Sequence, residues 1–418
     1  MKERDIKQRV VITGMGALTA LGTNIKDSWA GLTAGRSGIT EITQFDASHL
    51  PIRIAGEVKG FDPTDYIPHK EARRMARVSQ LAMAAGMQAM ADAGLGDQVP
   101  DPERAGVSVG TGVGGLDAAI VSWEDYKAKG LRRVNPFTAV SMLCNMPAHH
   151  LSLYFQCQAW SNTVVTACAS GSQAVGEAVE AIRRGAVDLM LAGGAEGMVH
   201  EVMAGAFTVM RVLANDNENP EKACKPFDAR RDGFVIAEGA AVFVLERLDK
   251  ALDRGARILA EVLGYAANSD AYHMAAPDPE GAGAYRVMKW AQEDAGVSPT
   301  EIDYINAHGP GTEVGDPVET LAIKRLLGER AYEVPVSSTK SMVGHPMGAA
   351  GAIEAMACVK SINEGVIHPT INYEVPDPAC DLDYVPNQSR QADVRIAQSN
   401  SFGLGGQNAC LVLGRFEE

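Results

Sequence analysis

Apolar residues in this chain fall into short runs rich in β-branched side chains, and these runs alternate with longer segments rich in alanine and other small residues. The runs at 10–13, 106–110 and 163–166 are predicted strands, and the segments at 80–93 and 246–254 are predicted helices. Strands that alternate with helices are typical of an α/β fold. No low-complexity segment or long flexible linker interrupts the pattern.

Three passages of the first half have weak counterparts in the second half, which is typical of a duplicated architecture. We therefore predict two similar halves, residues 1–255 and 256–418. The paired passages are 105–112 with 302–309, 163–185 with 334–365, and 239–245 with 405–413.

Composition narrows the class of protein. A chain of 418 residues, of which 46% are hydrophobic, can bury a large core. The apolar stretch at 10–12 is too short for a signal peptide or a membrane span, so we expect a cytoplasmic protein without membrane insertion. The net charge of −14 argues against a nucleic-acid-binding protein, because phosphate contacts need a surplus of Lys and Arg.

The cysteines indicate neither a disulfide framework nor a metal site. There are seven of them, an odd number, and they are scattered without any Cys-x-x-Cys pair. We expect reduced thiols, most of them in the core.

One cluster of positive charge contrasts with the acidic composition. Lys70, Arg73, Arg74 and Arg77 recur at i, i+3, i+4 and i+7, which predicts one face of a helix. Such a basic stripe either binds an acidic macromolecule or is a solvated helix face, and the spacing alone leaves both interpretations open.

Cys168 lies on a predicted turn between the strand at 163–166 and a helix that ends at Gly185. The partial positive charge of a helix N-terminus stabilises a thiolate, so we expect a lowered pKa and a nucleophile at neutral pH. The small neighbours Ala167 and Ala169 leave room for a substrate and free backbone N–H groups. The alternative is an inert buried cysteine, the commonest state of a lone Cys.

Two histidines are further candidates for chemistry. His308 follows a predicted strand in a glycine-rich loop, where it can be aimed at a substrate. His345 precedes a proline at the first turn of a helix, where the helix dipole favours a neutral imidazole. A histidine taken singly is more often a core residue whose hydrogen bonds are satisfied, and this is the alternative.

Lys340 and Glu354 lie in an apolar part of the sequence, where charges are costly unless they are paired. We predict a buried charge network, the alternative being that both side chains reach solvent. Together these residues suit chemistry on thioesters. Cys168 takes an acyl group, and two neutral histidines donate to a carbonyl that becomes an enolate when carbon dioxide leaves a malonyl unit.

Further motifs accompany these residues along the chain. They are VITGMG at 11–16, GTGVGG at 110–115, the Cys168 turn, KPFD at 225–228, RDGF at 231–234, SDAYHM at 269–274 and NSFG at 400–403. Taken together they resemble the thiolase-fold condensing enzymes, and closely the β-ketoacyl-[acyl carrier protein] synthase II type, over essentially the whole chain. The glycines at 14 and 16 do not begin a dinucleotide-binding loop, because position 19 is Thr rather than Gly.

The resemblance implies an α/β thiolase-like fold of two similar halves, each with a mixed five-stranded sheet, in layers ordered α-β-α-β-α. It implies a catalytic triad of Cys168, His308 and His345, in which Lys340 holds the charge network and Glu354 supports it.

The same resemblance implies a gating loop after the last motif and a substrate-binding wall. Backbone N–H groups of Cys168 and Leu404 would form the oxyanion hole. The gating residues are Phe402, Gly403, Leu404 and Gly405, and the substrate-binding residues are Val113, Pro310, Thr312 and Asp270.

The partners implied are an acyl carrier protein and a second subunit. Carrier docking would use Lys70, Arg73, Arg74 and Arg211. Acyl and malonyl thioesters would arrive on the carrier's phosphopantetheine, so no free cofactor and no metal are expected. A homodimer is implied, and a heterodimer stays open.

Three positions depart from the family pattern. Pro310 replaces the first Thr of the usual His-Gly-Thr-x-Thr, and only Thr312 remains. Leu404 and Gln407 replace Phe and Thr in the usual Gly-Phe-Gly-Gly-Thr-Asn. We expect the chemistry to be kept and the acyl selectivity to differ.

Two other functions compete with this hypothesis. A thiolase needs a second cysteine in a C-terminal Cys-x-Gly loop, whereas Cys410 lies in an apolar strand. A non-elongating partner subunit, like the chain-length factors of aromatic polyketide systems, lacks the nucleophile that Cys168 supplies.

Overall fold

The strands of the protein are short and mostly buried. The computed structural model describes residues 4–417. Its strands are β1 Val10–Leu18, β2 Thr40–Glu41, β3 Ile54–Ala55, β4 Ala105–Gly110, β5 Ser161–Val164, β6 Leu189–Glu196, β7 Gly239–Arg247, β8 Ala260–Ser269, β9 Tyr304–Asn306, β10 Val336–Ser337, β11 Val366–Ile367, β12 Arg390–Gln391, β13 Ile396–Gly403 and β14 Gln407–Gly414.

The helices alternate with these strands, as the apolar pattern predicts. They are α1 Ile25–Thr33, α2 His69–Ala72, α3 Arg77–Asp92, α4 Leu116–Lys129, α5 Thr138–Ser141, α6 Met146–Phe155, α7 Ser170–Arg183, α8 Glu201–Met210, α9 Leu248–Asp253, α10 Ala282–Ala295, α11 Gly315–Leu327, α12 Lys340–Val343 and α13 Ala350–Glu364. None of the helices within residues 4–417 has both the length and the apolar character needed to cross a membrane.

Ten strands form one sheet whose two ends repeat the same order. From one edge of the sheet to its centre the order is β5-β4-β6-β7-β1. From the other edge to the centre it is β10-β9-β13-β14-β8. The expected five-stranded sheets are therefore present, joined where Val11 and Ile12 of β1 pair with Glu261 and Ala260 of β8. The boundary at residue 255 falls between α9 and β8 and stays a prediction.

The helices α7 and α13 form the layer between the two halves of the sheet. Their apolar side chains share one core with residues of both halves, including Met190 of β6 and Leu411 of β14. On the outer faces, α3 packs on the first half and α10 on the second. These are the five layers that the resemblance implies.

Small residues let the two central helices meet closely. A Cβ on Gly171 would lie 2.8 Å from the carbonyl oxygen of Gly348, and a Cβ on Gly351 would lie 2.2 Å from Oγ of Ser172. The small residues at 348–352 therefore let the two halves meet backbone to backbone.

The basic stripe does not form one helix face, so that prediction is wrong. Lys70 lies in α2, which ends at Ala72, whereas Arg77 begins α3 after a turn whose Ala76 is buried. Arg77 Nη2 lies 2.8 Å from Oε1 of the buried Glu238, so the Arg77 guanidinium forms an ion pair within the fold. The predicted helix at 246–254 also begins later, because residues 246 and 247 continue β7.

Gly14 and Gly16 have a packing role. A Cβ on Gly14 would lie 2.3 Å from the carbonyl oxygen of Ala89, and one on Gly16 would lie 2.1 Å from that of Ala85. The two glycines let the backbone of α3 lie directly on β1.

We expect Gly16→Ala to lower the free energy of unfolding by about 1–3 kcal/mol, because the added methyl group has no room against α3. Urea denaturation measures the difference. Gly205→Ala is the matched control, since a Cβ there meets nothing within 4 Å. Equal unfolding midpoints for the Gly16 variant and the unmodified chain would contradict this packing role.

Candidate active site

Cys168 lies on a strained turn at the start of the central helix α7. The chain leaves β5, forms the 3₁₀ turn Ala167–Ala169 and enters α7. Ala167 has φ +50°, a left-handed conformation that costs a residue with a side chain about 1–3 kcal/mol. Ser170 holds the turn, since its Oγ accepts the Thr166 N–H at 2.8 Å and donates to the Ala167 carbonyl at 2.7 Å.

The structure brings Cys168 together with both predicted histidines, which come from the other half of the chain. His308 follows β9, and His345 precedes the 3₁₀ turn Met347–Ala349 that leads into α13. The ligand atoms of the three side chains all lie within 4.8 Å of one another. The two imidazole rings are 5.4 Å apart and meet edge to face.

Lys340 and Glu354 form the buried charge network that the sequence predicts. Both side chains are about 1% exposed and form an ion pair. The Lys340 ammonium also donates to the His308 carbonyl at 2.6 Å and lies 3.4 Å from His308 Nδ1. Because an ammonium can only donate, Nδ1 accepts and the imidazole proton resides on Nε2.

Burial determines the protonation of the three reactive groups. It lowers the pKa of His308 and of His345 well below the usual value, and the Lys340 ammonium adds to this effect. Both imidazoles are therefore neutral at pH 7, as expected. Burial also raises the pKa of the Cys168 thiol to about 11, so the expected resting thiolate is wrong.

The loop after β13 covers the thiol. The backbone N–H of Leu404 donates toward the Cys168 sulfur, where the resemblance places an oxyanion donor. Gly403 must lack a side chain, because a Cβ there would lie 2.6 Å from the Thr166 carbonyl oxygen. Phe402 lies 5.8 Å from the His308 ring, and Gly405 is exposed.

A cavity of about 420 Å³ reaches the thiol from the surface. Three predicted substrate-binding residues, Pro310, Thr312 and Asp270, contribute to its wall, as do Arg211 and Leu404. Val113 does not line the cavity and packs instead against the apolar cluster that contains Cys168.

Two of the three departures from the family pattern, Pro310 and Leu404, line this cavity. Pro310 is buried, and its ring takes the place of a hydroxyl. The remaining hydroxyl, that of Thr312, accepts the Gly315 N–H at 3.1 Å. Gln407 is exposed and opens β14 opposite Gly403.

The predicted docking residues are all exposed. Lys70 lies on α2, and Arg73 and Arg74 follow in the turn before α3. Arg74 stacks over the ring of Phe137 at 4.6 Å. Arg211 ends α8 and also lines the cavity, so it marks the mouth.

Two buried acids that support the site were missed from the sequence. Glu319 accepts the N–H groups of His308 and Gly309 at 2.9 and 2.8 Å. Glu196 accepts those of Gly112 and Gly348 at 2.6 and 3.0 Å. Glu196 lies at the end of an apolar strand, and Glu319 lies in the helix that follows the His308 loop. An acidic residue in such a segment is the sequence signal that could have identified them.

Thiol and imidazole groups this close are also a donor set that zinc accepts. The Lys340 ammonium beside His308 places a positive charge next to those donors, and this opposes a cation there. The arrangement therefore fits a reaction at the thiol better than a metal centre.

Known proteins match the chain in sequence. Residues 7–251 match the N-terminal domain of β-ketoacyl synthases, and residues 259–374 match their C-terminal domain. A 3-oxoacyl-[acyl-carrier-protein] synthase 2 of Synechocystis sp. is 45% identical over 98% of this chain and 99% of its own length. The protein of the same name from Coxiella burnetii is 43% identical, again over 98% and 99%.

Solved structures agree with this assignment. The ishigamide ketosynthase/chain length factor superposes with a TM-score of 0.91 at 40% identity, over 98% of this chain and 99% of that one. A β-ketoacyl synthase from Burkholderia phymatum superposes with a TM-score of 0.89 at 38% identity, over 98% and 100%. Both halves match and the site draws on both, so the chain belongs to the β-ketoacyl synthase family.

Proposed function

We propose that the protein is a 3-oxoacyl-[acyl carrier protein] synthase that lengthens an acyl chain by decarboxylative condensation. The observation that carries the proposal is one thiol with two neutral imidazoles, all within 4.8 Å at the end of a cavity open to the surface. This arrangement supplies a nucleophile and two uncharged donors at one place.

The first step is acyl transfer to Cys168. Its sulfur forms a bond to the carbonyl carbon of an acyl thioester, and the bond from that carbon to the carrier's sulfur breaks. The proton of the thiol goes to the departing sulfur, so a protonated resting thiol suits the exchange. The Leu404 N–H beside the sulfur is placed to stabilise the negative oxygen of the intermediate.

The second step uses the histidines. The carboxylate of a malonyl thioester leaves as carbon dioxide, and its bonding electrons form an enolate. His308 donates from Nε2 and His345 from its own N–H to the thioester oxygen, and these hydrogen bonds strengthen as that oxygen gains the negative charge of the enolate. The enolate carbon attacks the acyl carbon, the Cys168 sulfur departs as thiolate, and it takes up a proton.

Lys340 prepares this step without touching the substrate. Its ammonium holds His308 in one tautomer and adds to the effect of burial, which keeps His308 neutral, and Glu354 compensates the charge of Lys340. We assign Lys340 and Glu354 as positioning residues.

An acyl carrier protein is the proposed donor of both substrates. Lys70, Arg73, Arg74 and Arg211 are exposed, and Arg211 lies at the cavity mouth, where an acidic carrier would deliver its phosphopantetheine arm. The phosphopantetheine thioester brings its own reactive group, so the proposal requires no free cofactor. One solved relative, 33% identical, is a ketosynthase in complex with its acyl carrier protein.

A second subunit is proposed on the surface around β5. This strand ends the ten-stranded sheet, so one of its edges carries unpaired backbone groups. Apolar side chains next to this strand are unusually open, with Leu153 of α6 57% and Val165 49% exposed. A homodimer would cover this surface, and so would a related second chain.

We further propose a cytoplasmic location. All seven cysteines lie within residues 4–417 and are free thiols, which is the usual state in a reducing compartment.

Neither competing function fits the site as well. Cys410, the residue a thiolase would need, is buried in β14, where its Sγ contacts Oδ1 of Asn400 at 3.6 Å. A non-elongating subunit does not need a nucleophile, whereas this site contains a thiol and both imidazoles.

We expect Cys168→Ala to lower condensation by at least about a thousandfold, because no other cysteine among residues 4–417 lines the cavity. Elongation of a carrier-bound acyl chain with malonyl carrier protein measures the loss. Cys144→Ala, at a half-buried cysteine outside the cavity, should elongate normally. Continued elongation by the Cys168 variant would show that another residue accepts the acyl group.

We expect alkylation of Cys168 by iodoacetamide to rise about tenfold per pH unit between about pH 7 and 9.5, because the thiol is protonated throughout and only its thiolate reacts. Peptide mass spectrometry at each pH gives the rate, with free N-acetylcysteine as the reference. An alkylation rate that stops rising below about pH 8 would mean that the helix dipole lowers the thiol pKa more than burial raises it.

We expect Leu404→Phe to lower the elongation rate with long acyl chains by about tenfold relative to short ones. The larger ring narrows the cavity where the loop after β13 covers the thiol. A panel of acyl carrier protein thioesters of increasing length gives the profile. Leu404→Met, of similar volume, is the control. Identical profiles for the Phe variant and the unmodified enzyme would remove Leu404 from the account of selectivity.

A further inference from the structure

A third histidine, His368, is completely buried beside the strands that carry the active site. Its Nε2 lies 2.9 Å from Thr339 Oγ1, 3.2 Å from Asn306 Nδ2 and 3.3 Å from the Tyr304 hydroxyl. All three of these neighbours are also fully buried. Because His368 does not line the cavity, it acts on the site only through its neighbours.

The hydrogen-bond partners of His368 determine its tautomer. Nδ1 lies 3.0 Å from the Pro369 carbonyl oxygen, which can only accept, so Nδ1 carries the proton. Burial lowers the pKa of His368 to about 4, so the ring is neutral at pH 7 and Nε2 has a free lone pair. Nε2 is therefore an acceptor, and the Thr339 hydroxyl donates to it at 2.9 Å.

The Thr339 hydroxyl connects this acceptor to the strand that leads to His308. A hydroxyl has one proton, so a hydroxyl that donates to His368 can only accept from its other neighbours. The Asn306 amide donates to it at 2.9 Å and to the Tyr304 hydroxyl at 3.1 Å, so both N–H groups of this amide are used. Asn306 ends β9, two residues before His308.

The same hydroxyl also fixes the chain in front of Lys340. Thr339 immediately precedes Lys340, whose helix α12 has only four residues. So short a helix has little stability of its own, and contacts with neighbouring segments must place it. The segment that carries His368 supplies a second such contact, since Thr370 Oγ1 accepts the Ser338 N–H at 3.0 Å.

We infer that His368 is a positioning residue for decarboxylation, because its acceptor Nε2 holds Thr339 and, through it, the Lys340 ammonium beside the catalytic imidazole. This inference rests on the proposed function. It assigns a role to the third buried histidine, which touches neither the substrate nor the thiol.

The two steps of the proposed reaction depend on this network to different degrees. Acyl transfer uses the Cys168 thiol and the Leu404 N–H, which lie outside it. Decarboxylation needs His308 neutral and in one tautomer, and the Lys340 ammonium, 3.4 Å from its Nδ1, contributes to both. Loss of the acceptor at position 368 should therefore slow decarboxylation and spare acyl transfer.

Two substitutions separate the two nitrogens of His368. The side chain of Gln can place an oxygen at the Nε2 position, whereas that of Asn reaches only the Nδ1 position. We expect His368→Asn to lower decarboxylation at least about tenfold, because the buried Thr339 hydroxyl loses its acceptor. His368→Gln should restore the rate to within about threefold of the unmodified enzyme, and both variants should acylate Cys168 within about twofold of it.

The measurements follow each step by itself. Intact-protein mass spectrometry gives the rate at which acyl carrier protein acylates Cys168. Release of labelled carbon dioxide from malonyl carrier protein, added to the acylated enzyme, gives the rate of decarboxylation. A general loss of folded protein lowers both rates together, whereas a positioning role lowers only the second.

Thr339→Val removes the same hydrogen bond from the other side and keeps the side-chain shape, so it decides the matter if the Asn variant does not fold. We expect decarboxylation to fall at least about fivefold with acylation unchanged. Thr19→Val is the matched control, since Thr19 is 1% exposed, its hydroxyl lies 2.9 Å from Ser28 Oγ, and it does not line the cavity. Both of its rates should equal those of the unmodified enzyme.

The failure of this inference is distinct from that of the proposed function. If the unmodified enzyme performs both steps, the positioning role is wrong when the Asn and Val variants decarboxylate normally or lose both steps equally. A Gln variant as slow as the Asn variant would likewise overturn the role of Nε2. If the unmodified enzyme performs neither step, the proposed function is wrong and the positioning role falls with it.

Discussion

The buried ammonium of Lys340 acts on the pKa of all three reactive groups at the site. It lies among apolar helices, pairs with Glu354 and donates to the His308 carbonyl. Removing one partner of such a pair leaves an uncompensated charge in the interior, at about 3–5 kcal/mol. Burial lowers the pKa of both imidazoles, and the positive charge of Lys340 lowers it further, so a costly structural element helps to maintain two uncharged hydrogen-bond donors.

That ammonium can act on the thiol only because the two halves of the chain meet at very short range. Cys168 belongs to the first half, whereas the histidines and Lys340 belong to the second. Gly171 and Gly348 bring the halves together with no side chain between them. The buried acids Glu196 and Glu319 then hold the loops on either side by accepting backbone N–H groups.

Much of this arrangement is legible in the sequence, because it rests on local patterns. The β-branched runs predict the strands, and the repeated passages predict the two similar halves. The pKa of Cys168 was misjudged because helix position is local while burial is a property of the assembled site. The prediction of one basic helix face is wrong for a similar reason. A buried turn at Ala76 precedes α3, and Arg77 pairs with Glu238.

The strained turn at the nucleophile occurs twice. Ala167–Ala169 precedes α7 and Met347–Ala349 precedes α13, each beginning with a residue of positive φ, +50° and +36°. At equivalent places in the two halves, one turn therefore carries the reactive sulfur and the other places the Met347 thioether 3.5 Å from it. The chain segments at the two turns also pack backbone to backbone, since a Cβ on Gly171 would lie 2.8 Å from the carbonyl oxygen of Gly348, so a change in the backbone of one would disturb the other.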